Sequence, residues 1–123
     1  MRIDVVTKTL TTAAAGVLLD IPCSSHAKIA AAVDVTSIAG SPTNFTVSVV
    51  PKQGSVVFDN GNALNTGAKT AAGQYPLDLW GTTVLTHGPF IHNTFTEWEA
   101  LLAFTAGTSP TITGVLYIFL IHE

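Results

Sequence analysis

The sequence predicts an all-β protein, a jelly-roll-like antiparallel β-sandwich of about eight strands in one domain spanning residues 1–123. Three observations carry that reading. Apolar and polar residues alternate with period two through 28–37 and 44–50. Clusters of Gly, Pro, Asn and Asp punctuate the chain at short intervals. A turn phrase is also written twice, as AGSPTNFTVSVV at 39–50 and as AGTSPTITGVLY at 106–117. A chain of 123 residues is long enough for one domain with a core and too short for two ordinary ones.

The elements follow in order. Ile3 to Leu10 reads as a strand, and Gly16 to Ile21 as another that Pro22 stops. Three alanines at 13–15 favour helix, but the segment is short and has no polar face, so it is assigned to strand and turn. From 28 onward Ile29, Ala31, Val33 and Val35 alternate with Lys28, Ala30, Ala32, Asp34 and Thr36. After a bend at 38–43, Phe45, Val47 and Val49 alternate with Asn44, Thr46 and Ser48. This reads as a β-hairpin with one greasy face and one wet one.

Past Pro51, only Ser55 to Phe58 has strand character, and Asp59-Asn60-Gly61-Asn62 is a turn signal. Residues 59–74 are therefore expected to form a long loop. Long loops in small domains tend to carry function, which makes Asn60, Asn62, Leu64 and Asn65 candidate partner contacts. Short strands are expected at Tyr75 to Trp80 and Thr82 to Thr86, before a break at His87-Gly88-Pro89.

The second copy of the phrase sits between two different strands. Before its bend at 105–111, Trp98, Ala100, Leu102 and Phe104 alternate with Glu97, Glu99, Leu101, Ala103 and Thr105. After it, Ile112, Leu116, Ile118 and Leu120 take one side while Val115, Tyr117, Phe119 and Ile121 take the other. Both faces of this last strand are apolar. A two-layer sandwich buries one face of each sheet, so the outer row requires a third body, either the N-terminal segment or a neighbouring subunit.

Composition favours the subunit. Charged residues make up 11% of the chain and hydrophobic ones 47%, and mean hydropathy is +0.45, an apolar balance for a solitary soluble domain. A homo-oligomer is expected, with Val115, Tyr117, Phe119 and Ile121 as contacts. The net charge is −3, and Arg2, Lys8, Lys28, Lys52 and Lys69 are scattered, so there is no basic stripe for nucleic acid. The single cysteine, Cys23, excludes an intrachain disulfide and fits a reducing cytoplasm. Ala13 to Leu19 ahead of Cys23 superficially resembles a signal, but Asp4, Lys8 and Asp20 interrupt it. The apolar run from Val115 to Ile121 is far short of the ~20 residues of a spanning helix, so no membrane segment is expected.

Chemistry is hard to find. His87 and His92 are accompanied by His26 and His122, but HExxH and CxxC spacings are missing, so no metal site is predicted. Cys23, after a proline, reads as a small buried apolar residue. Glu97 and Glu99 share one strand face with Cβ atoms ~7 Å apart, a solvated pair rather than a glycosidase dyad. There is no nucleophile elbow, phosphate loop or nucleotide fingerprint. No catalytic, metal-binding or cofactor-binding residue is predicted, and the chain is expected not to be an enzyme. Among the aromatics Trp98 aligns with core positions, whereas Trp80, before Gly81, is the candidate to face a carbohydrate ligand.

The string VDVTSIAGSPTNFTVSVV at 33–50, followed by EWEALLAFTAGTSPTITGVLYIFL at 97–120, resembles small β-sandwich virion structural proteins of tailed bacteriophages. The matching strings cover about a third of the chain, and they are a folding signature with no chemistry in it. The chain departs from that group in two places. Gly54 to Asp59 replaces an Asp-Gly-x-x-Trp turn, and Glu97-Trp98-Glu99 stands where a basic residue is usual. The resemblance implies a non-enzymatic protein made in the host cytoplasm and carried in the virion. It would decorate or cement the head by binding the major capsid protein or other virion subunits. The alternatives are a tail- or neck-associated structural protein and a sandwich module that binds host-surface carbohydrate.

Overall fold

The computed structural model describes residues 2–23, 28–58, 63–85 and 95–122, together with the backbone of 90–92. Stretches of period two become long strands: β1 (Arg2–Ala13), β2 (Gly16–Pro22), β3 (Lys28–Ala39) and β4 (Asn44–Gln53). The Gly- and Thr-rich middle gives only short ones: β5 (Val56–Val57), β6 (Leu64–Asn65), β7 (Gly73–Pro76), β8 (Leu79–Trp80), β9 (Thr83–Val84) and β10 (Phe90–His92). Two long strands close the chain, β11 (Glu97–Thr105) and β12 (Thr111–His122).

All pairings are antiparallel, and they form two sheets packed face to face. The first has the order β1-β12-β3, with β10 and β7 lying in line along the far edge of β3. The second runs β2-β11-β4-β6-β8-β9, with β5 in line with β6 on β4. With the in-line fragments merged, the chain passes back and forth between a four-strand layer and a six-strand layer in the order of a jelly roll, the short β8 and β9 extending the second layer beyond β6. The strands outnumber the expected eight because the middle of the chain lacks alternation and pairs only in fragments.

One expectation is overturned. The repeated phrases do not form hairpins, since β3 and β4 lie in opposite sheets, as do β11 and β12. Each bend is an arch that carries the chain across the core. Ladders form between the repeats instead, β3 with β12 and β4 with β11. The alternation in 28–50 cannot distinguish the two cases. A hairpin lays its greasy residues side by side on one sheet, and an arch sets them facing one another, from identical sequence.

The arches explain why the phrase occurs twice. Thr108 N–H donates to the Gly40 carbonyl at 2.8 Å, and Thr43 N–H donates to the Thr105 carbonyl at 2.8 Å. A Cβ on Gly40 would lie 2.5 Å from the Thr108 oxygen, and one on Gly107 would lie 2.8 Å from the Gly40 oxygen. Both glycines also have left-handed φ, +81° and +93°. Each copy therefore supplies the bare backbone that the other copy crosses. Ser41, Ala106 and Ser109 hold positive φ without being glycine, a local cost of roughly 1–2 kcal/mol each that the clasp must offset.

The core is the expected one. Ile29, Val33 and Val35 from β3, Phe45, Val47 and Val49 from β4, Trp98 and Ala100 from β11, and Ile112, Leu116 and Ile118 from β12 are all at most 2% exposed. Thr36 is an extra residue in β3 opposite the Thr113/Gly114 step, and its hydroxyl donates to the Thr113 carbonyl at 3.1 Å. The bulge turns Ile38 back toward the core, and Gly114 is required there because a Cβ would collide with the Asp34 carbonyl.

The loop expected at 59–74 is corrected over its described part. Residues 59–62 lie outside the described residues, but from Ala63 onward the segment is tied to β4. Thr66 N–H donates to the Val47 carbonyl at 3.0 Å, Val47 N–H donates to Thr66 Oγ1 at 3.2 Å, and Lys69 exchanges backbone hydrogen bonds with Phe45. A polar stretch without alternation still satisfies the open edge of β4 with its backbone.

Candidate interaction surface

Residues directly opposite in a sheet point to the same side, so the pairing register builds the outer face of the first sheet. On β12 that face carries Val115, Tyr117, Phe119 and Ile121. Their partners on β1 are Thr9, Thr7, Val5 and Ile3, and their partners on β3 are Asp34, Ala32, Ala30 and Lys28. One end is polar, at Thr9 and Asp34. The other is an apolar stripe of Ile3, Val5, Ala30, Phe119 and Ile121.

Ile3 and Val5 are 50% and 53% exposed, and the four β12 residues are half-buried between their neighbours. The described residues form two layers, with none across this face. The N-terminal segment, one of the two covers the sequence allowed, does not serve as one. It lies beside β12 in the same sheet and widens the apolar face. Ile3 and Val5 were missed by sequence reasoning, although their alternation with Asp4 and Val6 is the signal that could have found them.

Next to this stripe is a shallow groove of about 330 Å3 whose lining includes Ala32, Asp34, Gln74, Pro76 and Tyr117. Ala32 pairs with Pro76 and Asp34 with Gln74, so all four belong to the outer face. Alanine makes the floor low, the Tyr117 ring stands on one side, and a carboxylate and an amide supply polar contacts.

The outer face of the second sheet is different. Lys52 Nζ donates to Asp20 Oδ1 at 2.6 Å and lies 3.6 Å from Glu99 Oε2. The hydrogen bond to Asp20 raises the Lys52 pKa above its ordinary 10.5 despite partial desolvation, and the nearby charges of Asp20, Glu99 and Glu97 add to it. Glu97 and Glu99 do share this face, opposite Lys52 and Val50. Glu99 is buried, at 7% exposed, rather than solvated, with Lys52 Nζ 3.6 Å from its carboxylate.

The remaining candidates divide as follows. Leu64 is fully buried at 0% exposed, packed into the core and opposite Trp80, so it has no surface to offer a partner. Asn65, 8% exposed, donates to the Ala63 and Gly81 carbonyls at 3.0 Å and accepts from Gly67 N–H at 2.8 Å. It is a loop clamp rather than a contact. Asn60 and Asn62 lie outside the described residues. Trp80 is half-buried with its ring 6.3 Å from that of Trp98, which in turn meets Phe95 edge-on at 6.1 Å. Phe58 lies against Phe95 at 5.4 Å, so these rings close one end of the sandwich and Trp80 is seated in that cluster.

Cys23 is buried, as expected. Among the described residues no three His, Cys, Asp or Glu side chains converge on a point. His26, His87 and the side chain of His92 lie outside them. No helix among the described residues is long and apolar enough to cross a membrane.

No family model, curated protein or solved structure matches this chain.

Proposed function

We propose that the protein is a non-enzymatic structural subunit of a virion, of the kind that decorates or cements a bacteriophage head by binding the major capsid protein. The observation that carries the reading is the apolar face of β1 and β12, which none of the described residues covers and on which Ile3 and Val5 are 50% and 53% exposed. At ~25 cal/mol per Å2, covering a few half-exposed large side chains contributes several kcal/mol per contact. A shell that repeats the same docking site many times turns such modest contacts into firm attachment. The doubled turn phrase, whose sequence resembles that of small virion sandwiches of tailed phages, supports the same class, and the crosswise clasp gives a rigid body on which to mount the face. The test is the double variant Tyr117→Ala/Phe119→Ala mixed with undecorated heads. Attachment should be lost while the fold persists, and unchanged attachment would remove this face from the reading. The ratio of this chain to the major capsid protein in purified particles then separates a shell protein, present in hundreds, from a neck or tail ring.

The groove favours a second reading, a module for host-surface carbohydrate, because an aromatic ring beside a carboxylate and an amide suits a sugar's apolar face and hydroxyls. Asp34→Ala and Gln74→Ala discriminate between the two. They abolish glycan binding under the second reading and leave head attachment intact under the first.

A further inference from the structure

A sheet edge exposes unpaired backbone N–H and C=O groups, and proteins usually blunt such edges with short strands, prolines, bulges or charges. Three of the four edges here are blunted. β7 and β10 share one in pieces of four and three residues, β5 and β9 have two residues each, and β2 begins at Gly16 and ends at Pro22. β1 is the exception. From Arg2 to Leu10 it pairs with β12 in unbroken register, contains neither Gly nor Pro, and is exposed along most of its length. Past Leu10 the register breaks, and Thr12 takes a φ of +45°.

We infer that β1 pairs antiparallel with β1 of a second copy about a two-fold axis at Val6, joining the first sheets of two molecules into one continuous sheet. The charges select this register. Full overlap of Arg2–Leu10 with itself sets Val6 opposite Val6 and, twice, Asp4 opposite Lys8 of the other molecule. Sliding by two residues in one direction brings Lys8 against Arg2, and in the other direction sets Asp4 against Leu10. A one-residue slip turns the inner face of one molecule toward the outer side of the other. Lys8 has no carboxylate partner among the described residues, while Asp4 faces Arg2 at 3.5 Å and His122 at 3.0 Å and has exposed surface left to accept another donor. On the outer face the same register puts Val5 opposite Thr7 and Ile3 opposite Thr9, β-branched pairs that suit adjacent strands. The charges that would repel a foreign strand from this edge are thus self-complementary for a second copy.

This goes beyond shell docking because it uses the edge of β1 and leaves its face free, so that two apolar stripes merge into one wider surface. The experiment is sedimentation velocity over a concentration series, with zero-length carbodiimide cross-linking of mixed 14N- and 15N-labelled chains. A dimer is expected, with an Asp4–Lys8 isopeptide between differently labelled molecules. Asp4→Lys or Lys8→Asp alone should weaken the dimer about tenfold or more, and the two together should restore it to within about threefold. Both positions are exposed, and circular dichroism verifies that the variants fold. A monomer at the highest soluble concentration, or a dimer indifferent to the single reversals, overturns the inference. Tyr117→Ala/Phe119→Ala should leave the dimer intact while removing shell attachment, so the two readings fail separately.

Discussion

The two outer faces of this sandwich begin from equivalent positions in the jelly roll and end differently. On the second sheet, Lys52 gathers Asp20 and Glu99 on the face that also carries Val50, which is only 1% exposed. That part of the face carries charged side chains, while Val17 on β2 and Val84 on β9 of the same sheet stay 57% and 59% exposed. On the first sheet, β1 extends the apolar row of β12 sideways and leaves Ile3 and Val5 half exposed. The contrast supports the proposal that the outer face of the first sheet is the one that meets other molecules.

What the faces share is the clasp, and breaking it should destroy both. Gly107→Val places a branched side chain where the Gly40 carbonyl and Pro42 pass, at a φ that branched residues avoid. A loss of about 3 kcal/mol or more is expected, with no cooperative melting transition by circular dichroism. Gly16→Ala, where a Cβ meets nothing within 4 Å, should cost only the strain of a side chain at φ +131° and provides the control for glycine loss at positive φ without a clash.

The next largest effect separates the faces. Glu99→Gln removes a buried carboxylate beside Lys52 and should lower the melting temperature while attachment to heads is unchanged. Ile3→Ser/Val5→Ser should do the reverse. Two half-exposed apolar side chains contribute little to folding, within about 1 kcal/mol together, yet attachment should fall at least severalfold in a pull-down with heads.

The smallest effect is pH-dependent and belongs to the second face alone. Lys52 has a raised pKa in the folded state, so its contribution is fully present below about 10.5 and is lost as pH rises through the higher folded value. Chemical denaturation of the wild type should therefore show a decline above pH 10.5 that Lys52→Met lacks. An identical alkaline decline in both would contradict the assigned role of Asp20.

The sequence resolves faces better than partners. Period two assigns Ile29, Val33, Phe45, Val47 and Trp98 to the core, because a strand buried on one side must alternate. Whether two alternating stretches form a hairpin or an arch is decided by the other strands competing to pair, and that competition leaves no local trace. The clasp was visible as a repeated phrase, but its reason lies in the contact of Gly40 with Thr108 and Pro110. Leu64 and Asn65 looked like loop because a two-residue strand is too short to alternate. At the surface, the β12 row was legible, while the contribution of Ile3 and Val5 depended on knowing that β1 lies beside β12 rather than over it.

The central claim is that the outer face of β1 and β12 is covered when the protein works. Hydroxyl-radical footprinting of Tyr117 and Phe119, on the dilute isolated chain and on purified particles, tests it most directly. Both rings should be oxidised readily in the isolated chain and strongly protected in the particle. Equal reactivity in the two states would contradict the account.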